Sequence, residues 1–234
     1  MTAGAAANSG DVARRAALGQ LEVIVGPMFA GKTTRLLRRV QELKAEGQVC
    51  VVAKSRTDTR GVPPGDVPLA EDAAAYVSTH DGLTLRAVSA SSLTEFRALV
   101  GDEAWARTGV VAVDEAQFFP DLVEMCCRWA DEDAKHVVVA GLDGDFRRRV
   151  FGASSSTIAL VPLADTVTKL LARCEVCARP APFTARRTAE DQAPEAAQIR
   201  VGGADVYVPL CRHHYLLAMD DGAQRVAAAI PADA

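Results

Sequence analysis

The sequence lacks a long apolar run, an excess of positive charge, a clear export signal and any internal repeat. Each absence excludes something. No uninterrupted apolar stretch approaches the roughly 18 residues of a membrane-spanning helix, so no membrane partner is expected. Lys and Arg number 26 against 30 Asp and Glu, for a formal charge of −4, which argues against a protein held to nucleic acid by bulk electrostatics. Arg14-Arg15 ahead of a fairly apolar stretch loosely imitates an export signal, but Glu22 interrupts that stretch, and the expected compartment is the cytoplasm. In such a chain the cysteines Cys50, Cys126, Cys127, Cys174, Cys177 and Cys211 point to metal more than to disulfides. Global disorder is excluded as well, because 234 residues with 49% apolar composition can bury a core for one α/β domain plus a small appendage.

What is present alternates between short apolar runs and amphipathic stretches. Leu21 to Val25, Val49 to Ala53, Val110 to Val113 and Val137 to Leu142 read as buried strands, and Leu83 to Val88 as a further one. Thr33 to Glu46 places Leu36, Leu37, Val40 and Leu43 on one helical face, with Gly47 where a helix ends. Ser92-x-x-Glu95 is a capping box ahead of Leu93, Phe96, Leu99 and Val100, and Asp121 to Ala130 carries Leu122, Met125, Cys126 and Trp129 inward. Strands alternating with helices predict a parallel sheet covered on both faces. The expected organisation is a tail over 1–19, an α/β domain over 20–170, a small module over 171–217 and a tail over 218–234. Residues 61–75, rich in Pro, Gly and Ala, are expected to form a loose loop.

Gly26-Pro27-Met28-Phe29-Ala30-Gly31-Lys32-Thr33 fits the phosphate-loop pattern, with a strand before it and an amphipathic helix after it. Glycines let backbone N–H groups turn toward phosphate oxygens, and the helix N-terminus adds a positive dipole. Lys32 supplies a point charge to the β- and γ-phosphates of a nucleotide, and the Thr33 hydroxyl is a Mg²⁺ ligand. Such a loop needs an acid at the end of a nearby strand. Val110-Val-Ala-Val-Asp114 provides it, so Asp114 is expected to hold the Mg²⁺ waters. Glu115 follows, and past the strand end it can turn toward the transferred phosphate and accept a proton from an attacking hydroxyl. The plainer alternative is an acidic pair serving metal and helix capping only. Of the next aromatics, Phe118 is expected in the site and Phe119 in the core.

Cys174-x-x-Cys177 and Cys211-x-x-His214 are two knuckles that together give four ligands suited to tetrahedral Zn²⁺. Four protein ligands leave no open position, so the site is read as structural. His213 is the rival to His214, which the two-residue spacing favours. Cys50, Cys126 and Cys127 lie on apolar elements and read as packing residues.

In series, the segments 26–33, Asp58-Thr-Arg60, Thr79-His-Asp81, Asp114-Glu-Ala-Gln-Phe-Phe119, Leu142-Asp-Gly-Asp-Phe146 and Gly202-Gly-Ala-Asp205 resemble the thymidine kinase family of the human cytosolic and bacterial type, from about residue 20 to 216. The resemblance implies a RecA-like P-loop domain with a zinc-ribbon or lasso module. It also implies phosphorylation of thymidine by Mg-ATP. It puts the catalytic base on Glu115, with Lys32 at the phosphates and Arg60 in support. The nucleotide site then runs over 26–33 and Asp114, Glu115, Ala116 and Gln117. Phe118, Phe146 and Tyr207 match residues that enclose the thymine ring, and Met28, Leu142 and Thr184 those around its methyl group. Gln198, Ile199, Arg200, Val201 and Gly202 match a loop whose backbone hydrogen-bonds the base. The family has zinc at the Cys/His position, and it suggests a homotetramer inhibited by thymidine triphosphate.

A tight pocket rejects larger 5-substituents more readily than hydrogen, since one methyl is worth only about 1–3 kcal/mol. Deoxyuridine is therefore an expected second substrate. The stretches between Arg60 and Thr79 and between Thr184 and Tyr207 are longer than the family pattern. A competing reading is a P-loop ATPase or switch whose module binds a partner or nucleic acid, since Arg173, Arg179, Arg186, Arg187, Arg200 and Arg212 give the module basic character.

Overall fold

The apolar runs of the first two thirds of the chain assemble into a seven-stranded sheet in the order β3-β4-β2-β5-β6-β1-β7. The structure is a computed structural model and describes residues 19–57, 74–78, 84–152, 156–188, 197–200 and 202–220. Asp58, Arg60, the Thr79-His80-Asp81 segment, Val201, most of the expected 61–75 loop and most of both expected tails lie outside the described residues. The strands are β1 (Gln20–Gly26), β2 (Cys50–Ser55), β3 (Ala74–Ser78), β4 (Thr84–Ala90), β5 (Val110–Asp114), β6 (His136–Leu142) and β7 (Thr166–Lys169). All neighbours pair in parallel except β3 with β4. The expected parallel sheet is present, with an antiparallel strand added at that one edge, where no helical crossover is needed. The loop expected to reach residue 75 ends sooner, because Ala74 already begins β3.

Strand alternation sends two sets of side chains to opposite faces. On one face, helix α1 (Lys32–Ala45) lays Leu36, Leu37, Val40 and Leu43 against Ile24, Val52, Val110, Ala112 and Val138. The other face takes three helices: α2 (Leu93–Val100), α3 (Asp102–Arg107) and α4 (Leu122–Asp131). Their Phe96, Trp105, Met125 and Trp129 pack on Val23, Val111, Val113 and Val139. Phe119 and Cys126 are buried in that core, as expected of packing residues. Burial pushes the Cys126 thiol pKa upward, which keeps it neutral.

The capping box at α2 forms with an added partner. Ser92 Oγ accepts from the Glu95 N–H at 3.1 Å, and Glu95 Oε2 accepts from the Ser91 N–H at 2.8 Å. Asp121, just ahead of α4, accepts from the N–H groups of Leu93 and Thr94, each at 2.8 Å. The free donors at the start of α2 are thus satisfied from two directions.

After β7 the chain builds a smaller unit from two short antiparallel strand pairs and one helix. These are β8 (Ala172–Arg173) with β9 (Pro180–Ala181), β10 (Phe183–Arg186) with β11 (Tyr207–Leu210), and α5 (Arg212–Asp220). Residues 218–220 belong to this helix rather than to the tail expected from 218. The core here is small: Ala172, Cys174, Ala181, Ala185, Val208, Leu210, Cys211, Tyr215 and Ala218.

Candidate active site

Three strand ends define one edge of the sheet. β1 ends at Gly26 and β5 at Asp114, while β6 runs between them to Leu142. Gly26 has no room for a side chain, since a Cβ would lie 2.5 Å from Leu170 O. The loop that follows closes at Gly31, whose φ of 79° suits glycine, and Gly31 caps α1. Phe29 also has a positive φ, 64°, and is 40% exposed. Lys32 is buried, and its ammonium donates to Pro27 O at 2.7 Å within the loop. Phosphate oxygens would compete for that donor.

The acid pair divides at the end of β5. Asp114 points toward the start of α1, where Thr33 Oγ1 donates to its two carboxylate oxygens at 3.1 Å each. This is a set of hard oxygen ligands at a phosphate loop, which fits a Mg²⁺ ion. Glu115 departs from the strand with φ 49°, an uncommon conformation for a non-glycine residue. The turn lets its side chain leave the alternation of β5. Glu115 is 8% exposed, and its Oε2 accepts from Gln117 Nε2 at 2.5 Å. Ala116 and Gln117 lie in the 3₁₀ turn Ala116–Phe118 that follows.

The smaller unit touches the loop directly. The Met28 N–H donates to Thr184 Oγ1 at 2.9 Å, and Ala30 packs against the small core of the second unit. Thr184, Leu142 and Tyr207 are buried. Phe146 is 2% exposed, and its ring is covered by the guanidinium groups of Arg186, 3.8 Å from the centroid, and Arg147, at 4.4 Å. Phe118 is half-buried and meets Phe151 edge-on at 6.0 Å.

Of the expected base-binding loop, Gln198 Nε2 donates to Asp145 Oδ2 at 3.0 Å, and Arg200 O accepts from the Tyr207 hydroxyl at 2.7 Å. Ile199 is exposed. Gly202 backs onto Val206, where a Cβ would collide. Sequence reasoning gave Arg186 only a share in the module's basic character, yet it is buried and donates to Ala197 O at 2.6 Å and Gln198 O at 3.3 Å. It also missed Asp145, whose Oδ1 accepts from the Arg147 and Arg149 N–H groups at 2.9 Å each. The Leu142-Asp-Gly-Asp-Phe146 segment was the available signal for Asp145.

Cys174, Cys177, Cys211 and His214 place their ligand atoms within 4.8 Å of one another. His214 enters through Nδ1, 3.5 Å from Cys174 Sγ and 3.3 Å from Cys211 Sγ, while the Cys177 and Cys211 sulfurs are 3.8 Å apart. Zinc–sulfur bonds of about 2.3 Å around a tetrahedron require sulfurs about 3.7 Å apart and slightly shorter sulfur–nitrogen edges. The spacing fits a metal of that size. His213 is exposed and outside the cluster. Arg179 Nε donates to Cys177 Sγ at 3.4 Å and draws its pKa down to about 6, which favours the thiolate that a metal needs.

Among the described residues no helix is long and apolar enough to cross a membrane. A mostly parallel α/β sheet, with a glycine-closed loop and an acid pair at the adjoining strand ends and a Cys₃His cluster in the smaller unit, defines the class as an α/β protein with a candidate nucleotide site and a candidate metal site. The family model described as thymidine kinase matches residues 19–215, and the chain belongs to that family. A thymidine kinase of Oryza sativa subsp. japonica is 46% identical over 200 residues, or 85% of this chain and 66% of that protein, just under two thirds of its length. The cytosolic thymidine kinase of Homo sapiens is 40% identical over 197 residues, 84% of this chain and 73% of its own. A thymidine kinase of Variola virus is 36% identical over 198 residues, 85% and 97% respectively.

Proposed function

We propose that this chain transfers the γ-phosphoryl group of ATP to the 5′-hydroxyl of thymidine, giving ADP and thymidine monophosphate for nucleotide salvage and DNA synthesis. One observation carries the reading. Two adjacent carboxylates are given separate partners, Asp114 on Thr33 and Glu115 on Gln117. That separation suits a metal holder and a base working side by side.

In the proposed reaction Glu115 accepts the 5′-hydroxyl proton as the oxygen attacks the γ-phosphorus. The bond from that phosphorus to the β,γ-bridging oxygen breaks, and its electron pair leaves with ADP. Lys32 and backbone N–H groups of the loop over 26–33, other than Pro27, which has none, and Met28, which donates to Thr184, bind the phosphates and stabilise the charge that shifts onto them. Thr33 and Asp114 would hold Mg²⁺, which would supply further neutralisation of the phosphates. Met28, Phe118, Leu142, Phe146, Thr184, Tyr207 and the backbone of 198–202 form the nucleoside side, with Arg60 in support at the phosphates. Cys174, Cys177, Cys211 and His214 would hold Zn²⁺, which would supply stability to the module rather than chemistry.

The same reading assigns residues 20–170 to the kinase unit and 171–217 to the module, whose last helix runs on to Asp220. It adds a homotetramer, inhibition by thymidine triphosphate, activity on deoxyuridine and a cytoplasmic location. Purified protein with Mg-ATP and single nucleosides tests the reaction. Equimolar ADP and thymidine monophosphate are expected. ATP hydrolysis stimulated by nucleic acid, with no nucleoside monophosphate formed, would replace this reading with that of a P-loop ATPase or switch.

A further inference from the structure

Gln117 is 5% exposed and sits two residues beyond Glu115 on the same 3₁₀ turn. Its amide bridges two strand ends. Oε1 accepts from the Leu142 N–H at 3.0 Å, and Nε2 donates to Glu115 Oε2 at 2.5 Å. The first bond continues the sheet by other means. On the β5 side of β6, the His136 N–H donates to Gly109 O, and by alternation the Leu142 N–H faces the same way. β5 stops at Asp114, and its pairing with β6 ends at Val113–Val139. The Gln117 side-chain carbonyl takes the place the strand no longer fills.

That anchor fixes which way the amide points. A flipped amide would set its NH₂ group against the Leu142 N–H, donor to donor, in a buried place. Oε1 must therefore face Leu142, and Nε2 must face Glu115. The surroundings hold the amide in position. A Cβ on Gly141 would lie 3.0 Å from Gln117 Oε1 and would collide with Thr157 Oγ1, so glycine at 141 keeps the space in which the amide sits.

We infer that Gln117 is a positioning residue for the phosphoryl transfer, orienting the Glu115 carboxylate through this bridge rather than binding the nucleotide. This rests on the reading of Glu115 as the base. Oε2 of Glu115 is engaged by the amide. The amide spans from the rigid end of β6 to a glutamate with left-handed backbone. It thus transfers the sheet's order to a side chain that the strand itself cannot hold.

Gln117→Glu keeps an acceptor for Leu142, removes the amide donor to Glu115 and sets a second acid against that carboxylate. The expected result is a kcat about 10–100-fold lower at neutral pH. KM for ATP and thymidine should stay within about threefold. Gln117→Met, apolar and of similar length, should lower kcat in the same way, and it covers the case in which the first variant folds poorly. A raised KM for ATP with kcat unchanged would overturn the inference and return Gln117 to the nucleotide. The Glu115→Gln background separates this from the parent reading. If Gln117 acts through Glu115, adding Gln117→Glu there costs less than about threefold further. A full second loss would overturn the positioning role. A Glu115→Gln enzyme that is itself near wild type would instead remove the base reading.

Discussion

The sheet domain and the Cys/His module are held together by different means. The domain buries two apolar layers, one under α1 and one under α2, α3 and α4, and no single residue carries either. The module has a few small side chains around Tyr215 and gathers four candidate ligand atoms within 4.8 Å of one another. A distributed core loses a little with each substitution, whereas a metal-centred unit loses its organising element at once. The two units meet where chemistry is proposed, through Met28 to Thr184. The fragile unit therefore supports part of the loop that the robust one presents.

The largest expected effect breaks the module alone. Cys174→Ser or His214→Ala should lose zinc and unfold residues 171–220 while the sheet persists. Metal analysis should find one zinc per wild-type chain, with far-ultraviolet circular dichroism of the variants retaining most of the helical signal. Wild type purified without chelator and free of zinc would contradict the contrast.

A smaller effect tests the joint. Thr184→Val removes the acceptor of the Met28 N–H and keeps the volume. A buried donor left unpaired costs about 1–3 kcal/mol, so ATP affinity should fall by roughly 5–150-fold with zinc content unchanged. Unchanged ATP binding in calorimetry would show that the module does not support the loop.

Within the sheet domain, Asp121→Ala should cost about 1–2 kcal/mol, because two N–H groups at the start of α2 lose their acceptor. Urea unfolding followed by tryptophan fluorescence reports it, with Trp105 and Trp129 both in that core. A loss under about 0.3 kcal/mol would mean that Ser92 and Glu95 alone suffice to cap α2.

The smallest effect is the pH dependence of that domain. Burial opposes the charge on Asp121, but the Thr94 hydroxyl and the Leu93 and Thr94 amides outweigh it and hold its pKa below 3.8. For Glu22, burial is likewise outweighed by Arg39 and His136, and its pKa lies below 4.5. Groups depressed on folding stabilise the native state fully above their unfolded values. That stability should be lost as pH falls below about 4.5 for Glu22 and about 3.8 for Asp121. Urea midpoints measured from pH 6 down to pH 3 should decline only over the acid end. A midpoint that rises toward pH 3 would reverse the assigned sign.

Much of this was legible in the sequence, because periodicity and short motifs are local. Leu36, Leu37, Val40 and Leu43 announce the face of α1, Ser92 and Glu95 its neighbour's start, and the cysteine spacing the metal cluster. Of the two histidines, the one favoured by spacing, His214, is the one in the cluster. Elements without an apolar pattern were not legible. All four residues of β7, Thr166–Lys169, are exposed, so its β-branched Thr166, Val167 and Thr168 carry no buried apolar pattern to mark a strand. The antiparallel turn of β3 was missed because strand direction leaves no mark on alternation. Arg186 gave no sign of burial because its partners are backbone carbonyls and the Phe146 ring, which no residue pattern displays. Asp121 read as the start of α4, and only the packing of α4 beside α2 makes it a cap for both.

The central claim is that Glu115 serves as the base for transfer to the nucleoside while Asp114 serves the metal. The kcat of Glu115→Gln tests it most directly, measured with thymidine and Mg-ATP on protein whose zinc content and ATP affinity match wild type. The account predicts a fall of about 10²–10⁴-fold with those two controls unchanged. A kcat within about threefold of wild type would contradict it.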